Sequence, residues 1–224
     1  MPTDILRLLK TGLDPAAWTL IQSIQAINAA QLNFPIYLVG GAIRDILSGS
    51  QSADLDFVTE GNGIDLARAV SNQLGGEIVE YDRFQTANWS PPADIFTSPI
   101  DFVTARQERY ETPASLPIVE PSNLKDDLYR RDFTINAMAV QIDRDNFGLL
   151  HDLFNGQEDL KKGVVEVLHP ISFQDDPTRI WRAVRYESRL KISLGAQTQS
   201  WLRRDLRFHQ LLSPDRIRHE WEKV

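Results

Sequence analysis

Three groups of residues in this chain of 224 could do chemistry by their type and spacing. The first is Asp54 and Asp56 in Asp54-Leu55-Asp56-Phe57. In an extended segment successive side chains face opposite ways, so Leu55 and Phe57 enter a core while both carboxylates emerge together, about 6 to 7 Å apart at Cα. Like charges at that spacing raise each other's pKa unless a cation lies between them. Mg²⁺ suits the place, because it takes one or two carboxylates together with phosphate oxygens, and a two-metal site can activate an attacking hydroxyl and steady a leaving pyrophosphate. Asp101 in Ile100-Asp101-Phe102-Val103 alternates in the same way and is a candidate third acid on a neighbouring strand. The second group is Gly40-Gly41, whose missing side chains would let backbone N–H groups and a following helix approach a triphosphate. The third is Arg130-Arg131-Asp132 with Asn136: guanidinium groups present planar paired donors to phosphate, and Asp132 and Asn136 suit a ribose hydroxyl. Each group also has a plainer reading: solvated acids on an edge strand, a turn, and a charged surface.

The elements needed to position these residues are legible around them. Ile36–Val39 is a run of strand formers, and 42–47 has helical spacing with Ile43 and Leu47 four apart, so Gly40-Gly41 sits in a strand, turn, helix sequence. Ahead of it, residues 1–33 repeat apolar positions at helical spacing, including Ile5, Leu8, Leu9, Trp18, Ile21, Ile24 and Ile27, until Phe34-Pro35 ends the pattern. After it, Leu66, Val70 and Leu74 mark a helix that stops at Gly75-Gly76, and Glu77–Tyr81 reads as a strand. Strand-like runs continue from 84 to 106 around Pro91-Pro92, and residues 111–125, with Pro113, Pro117 and Pro121, read as a loop. A hairpin turning around 143–148, a polar helix ending at Lys161-Lys162-Gly163 and a strand over 164–168 follow. From there the reading is wholly helical. Asp176 fits an N-cap with Pro177 at the first helical position, Arg179, Arg182, Arg185 and Arg189 lie on the following turns, and Ser213-Pro214 opens another helix. An ordinary capped amphipathic helix accounts for the spacing of 176–190 by itself.

Composition bounds the class. With 42% hydrophobic residues the chain can bury a sizeable core, and no apolar run reaches the ~18 residues that a membrane span needs. There is no cysteine, which excludes a disulfide framework and thiolate metal sites, and the start shows no secretory pattern, so the expected location is cytoplasmic. The net charge of −7 is unevenly spread: residues 1–176 hold 13 Lys+Arg against 26 Asp+Glu, and residues 177–224 hold 11 against 5. An acidic, cation-seeking part thus precedes a basic part suited to phosphate, or to a solvated helix surface.

The order Gly-Gly, Arg44-Asp45, Asp54-x-Asp56 resembles the catalytic signature of the nucleotidyltransferase superfamily, and LVGGAIRDILSG is similar to its bacterial-type tRNA nucleotidyltransferase and poly(A) polymerase branch. The stretch IDFVTARQERYE is similar to that family at the third acid, RRDFTINAMA resembles its ribose-recognition motif almost letter for letter, and DDPTRIWRAVRYESRL resembles its acid-Asp-x-x-Arg helix, with Asp175 where a Glu is usual. The resemblance spans 36–224. It implies an α/β nucleotidyltransferase head, a small mixed β-sheet flanked by helices, over 1–170, and an all-α neck over 171–224. It further implies that Asp54 and Asp56 hold Mg²⁺ with Asp101 as third catalytic acid, and that Gly40, Gly41, Arg44, Arg131, Asp132, Asn136, Asp176 and Arg179 bind the nucleotide, the last two meeting its base; Arg182 and Arg185 on the next turns join this set. The activity implied is transfer of AMP, CMP or both from ATP or CTP to the 3′ end of tRNA, releasing pyrophosphate, with no membrane or protein partner. Poly(A) polymerase acting on RNA 3′ ends is the alternative enzyme, and a non-catalytic nucleotide or RNA-binding module the alternative of another class. Family members continue into helical domains that hold tRNA, so the expectation is a fragment or a shortened member.

Overall fold

The structure, a computed structural model, describes residues 5–52 and 54–222. Helices α1 (Ile5–Gly12) and α2 (Pro15–Gln31) open the chain, and the Asp14 carboxylate caps α2 by accepting the Ala16 N–H at 2.8 Å. Next come β1 (Ile36–Val39), α3 (Gly41–Leu47), β2 (Asp56–Thr59), α4 (Gly63–Leu74), β3 (Glu77–Tyr81), β4 (Thr86–Ser90) and β5 (Ile100–Thr104). A hairpin of β6 (Arg106–Arg109) and β7 (Ile118–Pro121) leads to α5 (Leu124–Tyr129), then to β8 (Ala139–Gln141), β9 (Leu150–His151), α6 (Gly156–Lys162) and β10 (Val164–Val165). The chain continues with α7 (Ser172–Asp175), α8 (Thr178–Leu190), β11 (Ser193–Leu194), α9 (Ala196–Asp205) and α10 (Pro214–Trp221).

Seven strands make one mixed sheet in the order β3-β4-β5-β2-β1-β8-β9, antiparallel throughout except where β2 and β5 run parallel. Alternation sorts the two faces. Ile36, Leu38, Phe57, Ala87, Trp89 and Phe102 point to the side covered by α2 and α4, where they join Leu20, Ile24, Leu66 and Val70 in the main core. Phe57 and Phe102 stack there at 5.4 Å. On the other face Tyr37, Val39 and Val58 pack under Leu124 and Leu128 of α5. That cover thins at half-buried Val103 of β5; farther out, Val79 and Tyr81 of the edge strand β3 stand about half exposed. A separate cluster ties Phe133, Ile135 and Val165 to Phe173, Ile180 and Tyr186 of the C-terminal helices.

Two stretches differ from the sequence reading. The proline-rich segment 111–125 holds a strand, because 118–121 pairs with 106–109 and the prolines fall outside its ladder interior, Pro121 ending it. Within the helical C-terminal part, Ser193–Leu194 extends to pair in parallel with Val164–Val165. Among the described residues no helix is long and apolar enough to cross a membrane.

Candidate active site

Strand β2 begins at Asp56, and Asp54 precedes it outside any regular element, yet the alternation holds across both: Leu55 and Phe57 are buried while Asp54 and Asp56 are exposed. The parallel register sets Asp56 directly beside Asp101 of β5. Asn88 of β4 steadies that third acid, its Nδ2 donating to Asp101 Oδ1 at 2.9 Å. The Asp56 side chain opens into a cleft whose walls still strip it of much water. That desolvation pushes its pKa up to about 6 against the pull of Arg131, and the charges of Asp101 and Asp54 add to the rise.

Gly40 passes from β1 into α3 with φ of 78° and ψ of −139°, a conformation open in practice only to glycine. A Cβ here would lie 3.5 Å from Arg131 Nη1 and 3.6 Å from Asp56 Oδ2, so the bare backbone forms the floor between a guanidinium and a carboxylate. Helix α3 has seven residues, so the positive charge at this floor comes chiefly from Arg131 rather than from a helix dipole. The arginine pair divides its work. Buried Asp127 takes Nε and Nη2 of Arg130 at 2.9 and 2.7 Å and Nη2 of Arg131 at 3.0 Å. Burial alone would raise Asp127, but the two guanidinium groups outweigh it and hold its pKa below the usual range. Arg130 is tied again to Glu108 at 3.0 Å, whereas Arg131 keeps a buried Nε with no hydrogen-bond partner. With its Nη1 facing the Gly40 floor and only Nη2 spent on Asp127, Arg131 is the arginine placed to meet an anion.

A cavity of about 490 Å³ opens here, within the ~300–1,000 Å³ typical of small-molecule sites. It gathers Gly40, Gly41, Asp56, Arg131, Asp132 and Asn136 with Asp176, Arg179 and Arg182 from the C-terminal helices. Two residues expected with them stand behind its wall. Arg44 is 2% exposed and spends itself on Asn136 Oδ1 at 2.6 Å, on Asp45 at 2.7 Å and on the Tyr186 ring at 5.3 Å. Arg185 is buried against Glu220 at 2.8 Å. Both belong to a polar relay that runs from α3 to α10. Asn136 Nδ2 donates to Asp132 Oδ1 at 3.0 Å, Arg182 Nε and Nη2 close on Asp132 Oδ2 at 2.8 and 2.5 Å, and Arg182 and Arg185 meet at Glu220. Burial opposes the charge on Asp132, but Arg182 and the Asn136 hydrogen bond prevail and lower its pKa.

At the far end, the hydrogen-bonded ladder of α8 begins at Thr178, but Asp176 is extended, Pro177 already has helical φ and ψ, and the first turn closes through Arg179 N–H to Asp176 C=O, in keeping with Asp176 as cap and Pro177 as first helical residue. Asp176 still acts on the helix start, its Oδ1 accepting from the Thr178 N–H and hydroxyl at 3.1 and 2.7 Å, and it also pairs with Arg216 of α10 at 2.9 Å. Arg179 is fixed by Ser172 Oγ and by the Arg130 carbonyl at 2.6 Å. Asp175 turns away into a neighbouring cavity with His169. Burial, more than the neighbouring Asp176, raises its pKa to about 6 against the pull of Arg179, while burial and then Arg179 press His169 down to about 4. Glu108, Tyr110, Tyr186 and Glu220 also line the main cavity, unforeseen from sequence. Their one signal, an acid on the basic final helix at Glu220, names no partner.

The carboxylates of Asp54, Asp56 and Asp101 are hard oxygen donors with no His or Cys among them. Among the described residues no group of three His, Cys, Asp or Glu side chains is gathered tightly enough to hold a metal by itself. Mg²⁺ does not ask for one, since phosphate oxygens and water complete its shell. The proton affinity forced on Asp56 by desolvation and by its two acidic neighbours is the strain that a divalent cation would relieve.

Residues 36–166 match the poly A polymerase head domain. The A-adding tRNA nucleotidyltransferase of Aquifex aeolicus is 46% identical over 167 residues, which are 75% of this chain and 20% of that protein. That of Halalkalibacterium halodurans is 41% identical over 199 residues, 86% of this chain and 45% of the relative. A Thermotoga maritima CCA-adding enzyme complexed with tRNA superposes with a TM-score of 0.85 at 38% identity, covering 98% of this chain and 50% of that one. The chain thus spans half or less of the length of these relatives. With its strand-borne acids, its glycine floor and its arginine-lined cavity all within or beside the matched stretch, the chain belongs to the poly A polymerase head domain family.

Proposed function

We propose that this protein transfers a nucleotide, AMP in the first instance and CMP in the second, from ATP or CTP to the 3′-hydroxyl of tRNA and releases pyrophosphate. The observation that carries the reading is the parallel register that sets Asp56 beside Asp101 at the edge of the glycine floor. The names of the relatives support tRNA as substrate and AMP as the added unit. A tRNA substrate implies a cytoplasmic address. Within the chain we propose a catalytic head over 1–170 and a neck over 171–224, joined through the Phe133–Tyr186 cluster.

The family uses divalent metal ions, and here Asp54 and Asp56 would hold Mg²⁺. When bound, the metal would lower the pKa of the attacking hydroxyl and offset charge on the leaving pyrophosphate. The rest falls to the chain itself. Arg131 meets the triphosphate over Gly40, which admits it by having no side chain. Asp132 and Asn136, locked by Arg182 and Arg44, present a fixed polar edge to the ribose. Asp176 and Arg179 face the base, and Asp176 retains Oδ2 for it because Thr178 and Arg216 take Oδ1.

The test is incubation with Mg²⁺, each labelled NTP separately, and tRNAs ending before CCA, after one C and after CC. Extension of the CC-ended tRNA by ATP alone identifies A addition; extension of the others by CTP identifies C addition. The family description favours poly(A) polymerase as the second reading, and repeated AMP addition to unrelated RNA 3′ ends would establish it. Labelled product from none of these substrates would leave a binding module.

A further inference from the structure

The register of the sheet places two straight rows of side chains on the face that carries the acids. One row is Asp56, Asp101, Asn88 and Val79; the next is Val58, Val103, Thr86 and Tyr81. The second starts at Val58 under the cover of α5, the first at exposed Asp56, and both run outward across β5 and β4 to the edge strand, where Val79 is 52% and Tyr81 50% exposed. A cavity of about 330 Å³ lies along this path, bounded by Asp101, Thr86, Tyr81, Phe84 and Arg106. The guanidinium groups of Arg83 and Arg106 sit over the Phe84 ring at 5.5 and 5.8 Å. Arg106 is shared with Glu108 at 2.9 Å, while exposed Arg83 has no ion pair with an acid among the described residues.

The position of this face relative to the nucleotide cavity is informative. Gly40 and Arg131 lie on the β1 side of Asp56, and Asp101 lies on its β5 side. In phosphoryl transfer the attacking and leaving oxygens stand roughly in line across the phosphorus. With the triphosphate over Gly40, the attacking hydroxyl arrives from the Asp101 side, and the strand that bears it must lie beyond Asp101. Aromatic rings standing on an open sheet face, with arginines beside them, suit unpaired bases and their phosphates.

We propose that the open face of β3, β4 and β5 seats the unpaired 3′ end of the acceptor RNA, with Tyr81 stacking a base and Arg83 and Arg106 meeting the backbone phosphate. Asn88 then has a second task, holding Asp101 turned toward the terminal ribose. The inference rests on the nucleotidyl-transfer reading for its direction, but the surface can be tested by binding alone.

The experiment compares the parent chain with Tyr81→Ala and Tyr81→Phe, using a 5′-labelled single-stranded RNA ending in CC and a blunt duplex of the same sequence. Loss of one base stack is expected to weaken single-strand binding about tenfold in Tyr81→Ala, to leave Tyr81→Phe near the parent, and to leave duplex binding unmoved. In transfer assays the KM for RNA should rise by a similar factor while the KM for ATP stays within twofold. Equal single-strand affinity in parent and Tyr81→Ala, or loss of affinity for ATP and RNA alike, overturns the assignment. A parent that binds the single strand in a Tyr81-dependent way but transfers nothing upholds this surface and removes the transfer reading instead.

Discussion

Arg216, 40 residues beyond Asp176, closes on its Oδ1 at 2.9 Å, so the acid at the α8 end of the cavity is held from the last helix as well as from its own. Capping and recognition are therefore compatible duties. Asp176→Asn keeps an oxygen for the Thr178 N–H but loses the charge attraction to Arg216. A pair this open contributes at most about 1 kcal/mol, so melting should fall by no more than ~2–4 °C. Discrimination against GTP and UTP should fall much more, because an amide can turn to donate where a carboxylate only accepts. Unchanged NTP preference on a primer that the parent extends would exclude Asp176 from base selection.

Asp56→Ala and Asp101→Ala should each lower transfer by about 10³-fold or more, the scale expected when a group acting on transition-state charge is removed. Neither side chain packs in the core, so circular dichroism should stay that of the folded parent and melting should not fall, Asp56→Ala rising if anything because it removes a charge that is costly when ionised. Turnover near that of the parent in either variant, with the same dependence on Mg²⁺, would refute the assignment.

The raised pKa of Asp56 has a signed consequence for stability. A carboxyl that binds its proton more tightly folded than unfolded favours the folded state as pH falls, so its ionisation costs stability progressively between about pH 4 and its folded value of about 6, and fully above that. Asp175 acts in the same direction, and His169, pressed down to about 4, acts in the opposite one. The difference between parent and Asp56→Asn isolates the first group. In metal-free buffer Asp56→Asn should be the more stable protein above pH 6, with the gap closing toward pH 4; a gap independent of pH would contradict this.

Asn136 joins two buried charges, its Oδ1 accepting from Arg44 Nη1 and its Nδ2 donating to Asp132 Oδ1. Replacement by alanine leaves Arg44, 2% exposed, short of a partner. The expected loss is about 2–3 kcal/mol, read as a lower urea midpoint at unchanged slope. A loss below ~0.5 kcal/mol would mean that water replaces the amide.

The positions of the acids were legible because alternation is a local rule: Leu55 and Phe57 must go inward, so Asp54 and Asp56 go outward. The glycine turn and the capped start of α8 were legible for the same kind of reason. Pairing across the chain was not. Arg44 sits in a motif that resembles a nucleotide contact, yet it turns behind the wall because Asn136, Asp45 and Tyr186 meet it there. The basic C-terminal part promised free charge for phosphate, but Arg182, Arg185 and Arg216 are engaged by Asp132, Glu220 and Asp176. Asp45 apart, each such partner lies dozens of residues away, and no spacing rule connects them.

The parallel pairing of β2 with β5 also sets what this site tolerates in chain length. The distance between Asp56 and Asp101 is fixed by ladder register, so it is blind to how many residues the intervening excursion through α4, β3 and β4 contains. A few Gly and Ser residues inserted after exposed Asp94, between β4 and β5, should leave transfer intact. Deletion of Ile100 has the opposite character. It would move β5 by one residue and leave the sheet to choose between a buried Asp101 and an exposed Phe102. Diversity among sequences that keep this chemistry is thus free to collect between the two strands, while each strand itself admits no change of count.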